Sequence, residues 1–230
     1  MVKLTKKFKL INSSVDFEKE YELDEALVVF EEFKSPKLTE SIDIALKLGI
    51  AAEKSDQNVR GAITLPHSLG KQVVVAVFAD GDKASAAKSA GADFVGMDDL
   101  ADKFKKEEIS VDVVIATQGA MKIVGQLGQI LGPKGLMPNP KTGTVTDNVK
   151  DAVKNAKSGQ VRFRNDKNGI IHGTIGRVGF SSDQLSDNLK VLIDEVRKLK
   201  PASAKGVYFK SAHLSSTFGP GLKINLSSFV

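Results

Sequence analysis

The sequence predicts an α/β fold for the middle of the chain and an α+β fold for its two flanks. In the middle, apolar runs at residues 72–79 and 111–116 alternate with short helical segments, which is typical of a parallel sheet with helices on its faces. In the flanks, apolar and polar residues alternate along segments such as 42–50, and this period of two indicates strands with one open face. The 230 residues are 41% hydrophobic and 27% charged, an ordinary composition for a globular protein.

The N-terminal flank contains one clear helix and one clear strand. Residues 24–33 favour a helix, because their apolar side chains recur on one side of it. The strand at 42–50 follows, and its alternate residues are aliphatic. These aliphatic residues are Ile42, Ile44, Leu46, Leu48 and Ile50.

Three helices are expected between the strands of the middle segment. The Ala-rich residues 83–89 favour the first helix. Asp98 is placed to cap the second, which runs to about Lys106. The third is expected over residues 120–131, although its glycines weaken it.

The C-terminal flank contains the longest amphipathic helix. Ser181 and Gln184 form a capping-box pattern at its start, and Pro201 ends it. Between them, Leu185, Leu189, Leu192, Val196 and Leu199 repeat at helical spacing. Two half-buried strands are expected after it, one with Val207 and Phe209 and one around Leu222.

Two linkers are indicated by proline and glycine at residues 65–70 and 157–159. They divide the chain into 1–67, 68–159 and 160–230. The pattern leaves open whether the flanks form two units or one. The expected hinge residues at these linkers are Pro66, His67, Ser158 and Gly159.

Several classes of chemistry are excluded or disfavoured by composition. The chain has no cysteine, which excludes disulfides, a thiol nucleophile and cysteine-bound metal. Its three histidines, His67, His172 and His213, are too widely spaced to predict a metal site. No apolar stretch approaches the length of a membrane span, so we expect a cytoplasmic protein without a membrane partner.

The net charge of +5 is unevenly distributed along the chain. Residues 1–67 carry 10 Lys and Arg against 12 Asp and Glu, and residues 68–159 carry 12 against 11. Residues 160–230 carry 11 against 5, a net +6. The C-terminal flank therefore holds the basic excess that an anionic partner would meet.

The loop at residues 132–144 resembles a phosphate-binding P-loop in spacing but lacks its second glycine. In the frame that begins at Gly135, Pro140 stands where that glycine supplies a backbone N–H and permissive φ, directly before Lys141. A rigid surface loop is therefore the preferred interpretation. A nucleotide-dependent enzyme that uses this loop is the alternative function, and no cofactor is implied.

The basic residues of the C-terminal flank begin on a strand that ends in a hairpin turn. Val161 and Phe163 face one side of this strand, and Arg162 and Arg164 face the other, where phosphates or base edges could be met. A solvated strand face is the competing interpretation. His172 and His213 are most simply partly buried histidines with satisfied hydrogen bonds.

A second candidate for RNA contact is the turn at residues 215–221. It places Phe218 among small and polar residues, where a base could stack on the ring and the backbone could approach closely. A core phenylalanine that anchors a turn is the more common structure for such a sequence.

Four blocks of the sequence, in order and spacing, resemble the bacterial L-one family of large-subunit ribosomal proteins. They are SDQNVRG at 55–61, LGPKGLMPNPK at 131–141, FRNDK at 163–167 with Gly169 and His172, and TFGP at 217–220. The resemblance covers essentially the whole chain. It implies a discontinuous α+β RNA-binding domain of split βαβ type, formed by residues 1–67 and 160–230. A Rossmann-like three-layer domain, residues 68–159, would be inserted into it.

The same resemblance implies the partners. The flank domain would bind large-subunit (23S) ribosomal RNA in the mobile stalk, and the protein would help deacylated tRNA leave the exit site. It would also repress its own operon mRNA, and it would be a monomer outside the ribosome. A message-specific repressor that acts mainly off the ribosome is a further alternative.

The resemblance also implies which residues contact RNA. They are Lys37, Leu38, Ser41, Arg164, Lys167, His172, Ser211, Thr217, Phe218 and Gly219. Two of them depart from the family pattern. Leu38 stands where the family often has phenylalanine, and Phe218 stands where it often has methionine, so the contacts at these two positions would differ in shape.

Overall fold

The computed structural model describes residues 5–36, 38–70 and 72–226. Its contacts divide the chain into two compact units. The first is formed by Met1–Leu69 with Val161–Val230, and the second by Gly70–Gln160. The first unit joins both ends of the chain, because strands from the N-terminal and C-terminal thirds pair in one sheet.

The described residues form ten strands and eight α-helices. The strands are β1 Glu20–Tyr21, β2 Ser41–Leu48, β3 Arg60–Thr64, β4 Val75–Phe78, β5 Phe94–Gly96, β6 Val113–Ala116, β7 Gln160–Arg164, β8 Ile170–Arg177, β9 Phe209–Ser216 and β10 Gly221–Ile224. The helices are α1 Lys6–Ser14, α2 Leu23–Glu32, α3 Gly81–Ser89, α4 Asp98–Lys105, α5 Met121–Gln126, α6 Gly128–Leu131, α7 Val149–Lys157 and α8 Ser182–Lys198.

The first unit is built on a five-stranded sheet in the order β1-β10-β9-β2-β8, beside a two-stranded sheet of β3 and β7. Strand β2 lies between β8 and β9 and is antiparallel to both. Its aliphatic residues are buried in one core with the apolar faces of α2 and α8, while the residues between them remain partly exposed. The five-stranded sheet therefore has one covered face and one open face, as the period of two predicts.

Helix α8 begins with the capping box that the sequence predicts. The hydroxyl of Ser181 accepts a hydrogen bond from the backbone N–H of Gln184 at 3.3 Å. The backbone N–H of Ser181 donates in return to Gln184 Oε1 at 3.1 Å. These two bonds satisfy backbone groups that a helix N-terminus otherwise leaves without intrahelical partners.

The second unit is a three-stranded parallel sheet in the order β5-β4-β6. The apolar residues of α4, α5 and α6 pack on one face of the sheet, and those of α3 and α7 pack on the other. All four residues of β4 and of β6 are buried. Covering both faces in this way explains why these two strands read as continuous apolar runs.

Several details differ from the sequence-based expectations. Asp98 is the first residue of α4, and Met97 occupies the cap position. The helix expected over residues 120–131 is broken into α5 and α6 around Leu127. The strand expected over residues 72–79 is shorter, since β4 covers Val75–Phe78. Val207 lies outside the strands and is 74% exposed, because β9 begins at Phe209.

Candidate nucleic-acid interface

The turn at residues 216–219, which begins at the last residue of β9, presents Phe218 to solvent. The Phe218 side chain is 54% exposed, so the interpretation of this residue as a core anchor is wrong. Gly219 packs so closely that a Cβ added there would lie 2.2 Å from the Ser216 hydroxyl oxygen. The turn therefore combines an exposed ring with a position beside Ser216 that has no room for a Cβ.

A buried carboxylate, Glu40, holds this turn in place. Glu40 is 2% exposed and accepts hydrogen bonds from the Ser216 hydroxyl at 2.8 Å and from the backbone N–H of Phe218 at 3.0 Å. It also accepts from the backbone N–H of Ser35 at 2.7 Å. Burial opposes ionisation of Glu40, but the bonds from Phe218, Ser216 and Ser35 outweigh it and lower the pKa of this carboxyl.

A second set of bonds ties the same turn to the start of β2. The backbone N–H of Ser41 donates to Thr217 Oγ1 at 3.0 Å, and the backbone N–H of Thr217 donates to the Ser41 carbonyl at 3.2 Å. Leu38, which precedes this strand, is 59% exposed. The structure thus brings the predicted residues Leu38 and Ser41 to the same site as the turn, whereas Lys37 lies outside the described residues.

The open face of the five-stranded sheet continues from the turn with polar side chains. Asp43 pairs with Ser215 on β9 and with Thr174 on β8, and the Thr174 hydroxyl donates to Asp43 Oδ1 at 2.6 Å. Further along β2, Lys47 pairs with the half-buried Ser211. The predicted residue Ser211 therefore lies on the same face, several rows from the turn.

Two histidines flank Ala45 in the middle of this open face. Ala45 pairs with His172 on β8 and with His213 on β9. Both histidines are exposed, so the expectation of partly buried histidines is wrong. Strand pairing, which the sequence alone did not give, explains why two residues far apart in the chain lie in one row.

A basic pocket lies at the end of the open face where β7 leads into β8. It has a volume of about 570 Å³ and brings the predicted residues Arg164, Lys167 and His172 together. The residues that line this basic pocket are Ala52, Asn58, Arg60, Arg162, Arg164, Asn165, Asp166, Lys167 and His172. The structure therefore places Arg162 and Arg164 beside Arg60, and the role of this strand in RNA binding stays a prediction.

The loop that forms the pocket wall is shaped by Asp166. Its Oδ1 accepts from the backbone N–H groups of Ile170 and Asn168, both at 2.8 Å, and its Oδ2 lies 3.6 Å from His172 Nε2. The N–H of Ile170 lowers the pKa of the Asp166 carboxyl most, against a smaller effect of burial. Gly169 closes the loop with a φ of 74°, a conformation that favours glycine.

The basic pocket and the open face form one continuous surface. A second cavity, of about 600 Å³, is lined by Asp43, Thr174 and Ser215. Arg162 and His172 line this cavity as well as the basic pocket. Cationic, hydroxyl and aromatic groups therefore follow one another from Arg60 to the 216–219 turn.

Sequence reasoning missed Glu40 and Arg60. Glu40 carried no visible signal, since one glutamate before a strand is unremarkable until its partners are known. Arg60 lies in the 55–61 block that resembles the family, but the resemblance assigns no role to this residue. Its place in the basic pocket depends on the pairing of β3 with β7.

The expected hinge residues lie at the ends of the two units. His67 is fixed to α8, because its backbone N–H donates to Asn188 Oδ1 at 3.0 Å and its carbonyl accepts from Asn188 Nδ2 at 3.1 Å. Pro66 beside it is exposed. Ser158 is the C-cap of α7, and Gly159 follows it with a φ of 88°.

The proline-rich loop of the second unit is held by its own hydrogen bonds. The backbone N–H of Asn139 donates to Thr144 Oγ1 at 2.8 Å, and Pro140–Thr142 forms a single 3₁₀ turn. Lys134 Nζ lies 3.1 Å from Glu107 Oε1. These contacts brace the loop from within and tie it to Glu107.

Within the described ranges, no group of three or more histidine and acidic residues is arranged to hold a metal ion. None of the helices in those ranges combines the length and apolarity that crossing a membrane requires.

An open sheet face lined with arginine, histidine, hydroxyl groups and an exposed ring is typical of proteins that bind nucleic acids. The sequence profile of the ribosomal protein L1p/L10e family matches residues 30–220. The chain is 58% identical to the large ribosomal subunit protein uL1 of Histophilus somni (strain 129Pt) and 60% identical to the protein of that name from Pasteurella multocida (strain Pm70). Each comparison spans 228 residues, 99% of this chain and 100% of the relative. The chain therefore belongs to the ribosomal protein L1p/L10e family.

This membership confirms the resemblance to the L-one family. The two relatives are ribosomal proteins of the large subunit and not enzymes, so the alternative of a nucleotide-dependent enzyme is not supported. Pro140 and the braced loop around it agree with that outcome, because they remove the one feature that favoured the enzyme.

Proposed function

We propose that this chain binds 23S ribosomal RNA in the mobile stalk of the large subunit through the open face of its first unit. The observation that carries the proposal is the continuous surface between two different contact sites. At one end the basic pocket gathers arginines, and at the other the 216–219 turn exposes Phe218 and Thr217. Phosphate contacts and base contacts can thus be made by one RNA at the same time.

The two ends suit different parts of an RNA. Arg60, Arg164 and Lys167 can neutralise phosphates and fix the position of the RNA, which gives affinity without sequence information. The Phe218 ring can stack on an unpaired base. The Thr217 hydroxyl can exchange its long 3.5 Å contact with the Ser41 carbonyl for a bond donated to a phosphate or a 2′-hydroxyl. The proposed RNA contacts are the ten residues named from the resemblance, with Arg60 and Arg162 added.

The proposal assigns separate roles to the two parts of the chain. Residues 1–67 with 160–230 form the discontinuous, split βαβ-type RNA-binding domain, and residues 68–159 form an inserted Rossmann-like domain. The parallel sheet covered on both faces supports the second assignment. Pro66, His67, Ser158 and Gly159 are proposed as the hinge, with movement beginning after His67, whose backbone is bonded to Asn188.

We further propose that the same surface represses the protein's own operon mRNA. An RNA segment that copies the shape of the ribosomal site would meet the same turn and the same pocket, so the two RNAs would compete. Release of exit-site tRNA is proposed as the activity on the ribosome, in the cytoplasm. Outside the ribosome the protein is proposed to be a monomer.

A filter-binding assay with deproteinised 23S ribosomal RNA tests the central proposal. We expect saturable binding that exceeds binding to poly(U), with a log–log salt slope of about −0.7 to −0.9 for each phosphate contact. Unlabelled mRNA leader from the protein's own operon should compete with the 23S RNA. An equal amount of 16S ribosomal RNA serves as the control competitor.

Two results would count against the proposal. The first is an affinity for 23S RNA no higher than that for poly(U), because it would leave only non-specific charge attraction. The second is an affinity that does not change with salt, because it would exclude the basic pocket from the interface. If only the mRNA leader binds specifically, the protein is a repressor that acts off the ribosome.

A further inference from the structure

The two segments that carry the 216–219 turn and the start of β2 are far apart in the sequence, and Glu40 joins them. Its Oε1 accepts from the backbone N–H of Ser35 at 2.7 Å, on the N-terminal side of Leu38. Its Oε2 accepts from the Ser216 hydroxyl at 2.8 Å and the Phe218 N–H at 3.0 Å. One buried carboxylate thus bonds to both segments of the candidate contact site.

A carboxylate at this position opposes simple electrostatic attraction for RNA. Glu40 carries a negative charge close to Thr217 and Phe218, and Lys7 Nζ lies 3.9 Å from its Oε1. A buried charge costs free energy unless hydrogen bonds compensate for its lost hydration. The three donors provide that compensation, and two of them, from Ser216 and Phe218, reach Glu40 only when the two segments are in place.

Glutamate has the acceptors that this site needs. Both carboxylate oxygens accept, so one can serve Ser35 while the other serves Ser216 and Phe218. The glutamine amide has one acceptor oxygen and one donor NH₂. In either orientation of glutamine, its NH₂ group would face a backbone N–H, that of Ser35 or that of Phe218.

The same bonds determine which groups of the turn remain for RNA. The Phe218 N–H is occupied by Glu40, so its ring, not its backbone N–H, is the contact group. The Ser216 hydroxyl donates to Glu40. In that position its oxygen leaves room at residue 219 for glycine but not for a Cβ. Moving Glu40 would therefore move both the ring and the glycine.

We propose that Glu40 is a positioning residue that sets the shape of the RNA-contacting turn and of the segment before β2 without touching RNA. This inference rests on the proposed function, because it assigns the turn to RNA binding. It predicts a change in RNA affinity opposite to the one that charge alone would cause. Removing a negative charge from the RNA-binding face should weaken the binding of folded RNA, whereas a purely electrostatic role would strengthen it.

The test is the Glu40→Gln variant, assayed against deproteinised 23S ribosomal RNA and against poly(U). We expect affinity for 23S RNA to fall by about tenfold, the change that corresponds to loss of one buried hydrogen bond. Affinity for poly(U) should stay the same or rise. The salt slope for 23S RNA should not change, because Glu40 contacts no phosphate.

Asn188→Ala is the matched control for a loss of stability. Asn188 is also fully buried in the first unit and also bonds to two segments, through His67 and Ile175. Its replacement should lower the urea midpoint at least as much as Glu40→Gln does. It should nevertheless bind 23S RNA as the wild type does, at a temperature where both variants are folded.

Ser216→Ala keeps the inference testable if Glu40→Gln fails to fold. It removes one donor to Glu40 and leaves the other two bonds. We expect a smaller loss of 23S affinity, again with an unchanged salt slope. Faster exchange of the Phe218 amide hydrogen would show that the turn has loosened.

The outcomes separate this inference from the function on which it rests. If the wild-type protein binds 23S RNA no better than poly(U), the proposed function itself is wrong. Wild-type protein that binds specifically, with folded Glu40→Gln and Ser216→Ala binding equally well or better, would overturn only the role of Glu40. Equal losses for 23S RNA and poly(U) would also overturn it, since a change of turn shape should act on folded RNA alone.

Discussion

The 216–219 turn and the basic pocket lie on one open face but are built in different ways. Each is held by a carboxylate that accepts backbone N–H groups, the buried Glu40 for the turn and the partly exposed Asp166 for the pocket wall. The pocket surrounds its carboxylate with exposed arginine and lysine. The turn instead exposes a ring and a hydroxyl. The comparison indicates that charge and shape are separate properties of this surface.

This difference predicts different responses to substitution. Changes in the pocket should alter the salt dependence of binding and act on any RNA, because phosphates are common to all RNAs. Changes in the turn should lower the affinity for folded RNA without changing its salt dependence, because they alter how closely the turn fits that RNA.

The largest effect is expected for Gly219→Ala. The added Cβ would lie 2.2 Å from the Ser216 hydroxyl oxygen, which cannot move without breaking its bond to Glu40. Overpacking of this kind costs about 1–3 kcal/mol. We expect affinity for 23S RNA in a filter-binding assay to fall by about tenfold or more.

Gly221→Ala is the control for this variant. A Cβ at Gly221, at the start of β10, would meet nothing within 4 Å. Its affinity should match that of the wild type. Similar losses in the two alanine variants would show that the tight packing of Gly219 has no special importance for binding.

A smaller effect is expected for Thr217→Val. Valine cannot accept the hydrogen bond that the Ser41 N–H donates at 3.0 Å, and it offers no hydroxyl to RNA. Loss of one such bond costs about 1 kcal/mol, so 23S affinity should fall by about fivefold. The protein should remain folded by circular dichroism. Thr64→Val, at an exposed position that ends β3, should bind normally, and a Thr217→Val variant that binds as tightly as its parent would contradict the assignment.

For the double variant Arg60→Gln, Arg164→Gln in the pocket, we expect the main change to be in the salt dependence of RNA affinity. Each lost phosphate contact should make the log–log slope less steep by about 0.7 to 0.9, and poly(U) binding should weaken as well. Lys88→Gln, an exposed basic residue near the end of α3, is the control of equal charge type. If the slope stays unchanged in the double variant, the pocket does not contact phosphate.

The smallest effect is the pH dependence of the turn. Although burial opposes ionisation, the bonds from Phe218, Ser216 and Ser35 lower the pKa of Glu40 from its ordinary value of 4.5. A carboxyl with a lowered pKa in the folded state stabilises the fold fully above the unfolded value. It loses this contribution as the pH falls through the folded pKa. The free energy of unfolding in urea should therefore decline below pH 4.5.

Comparison with Glu40→Gln isolates that contribution. The variant lacks the titrating carboxyl that faces Lys7, so its stability should depend less on pH in this range. Asp166 also has a lowered pKa, from 3.8, and its own contribution remains in both proteins. Identical pH profiles for the two proteins would show that ionised Glu40 does not stabilise the turn.

Local sequence patterns predicted the elements that depend on neighbouring residues. The capping box of Ser181 and Gln184 was predicted correctly because both of its bonds lie within one helical turn. The alternation of Arg162 and Arg164 with Phe163 was visible for the same reason. Predictions failed where contacts between distant residues determine the ends of an element. The sequence predicts Val207 in a strand, but β9 begins only at Phe209, and Val207 is exposed.

The candidate site was only partly visible for a related reason. Phe218 and Thr217 were conspicuous, since an aromatic residue in a small, polar turn is unusual. Glu40 was not, because its three donors come from segments separated by up to 178 positions. The row of His172 and His213 beside Ala45 likewise depends on which strands pair.

The sequence by itself determined the classes of its elements, the basic excess of the C-terminal flank and the family resemblance. These follow from residue type and spacing, which are local properties. Only the tertiary structure decided which strands of the two flanks pair in one sheet, that Arg60 joins Arg164, and that Glu40 holds the 216–219 turn. These are pairings between distant residues, and no local period encodes which distant donor a buried carboxylate will meet.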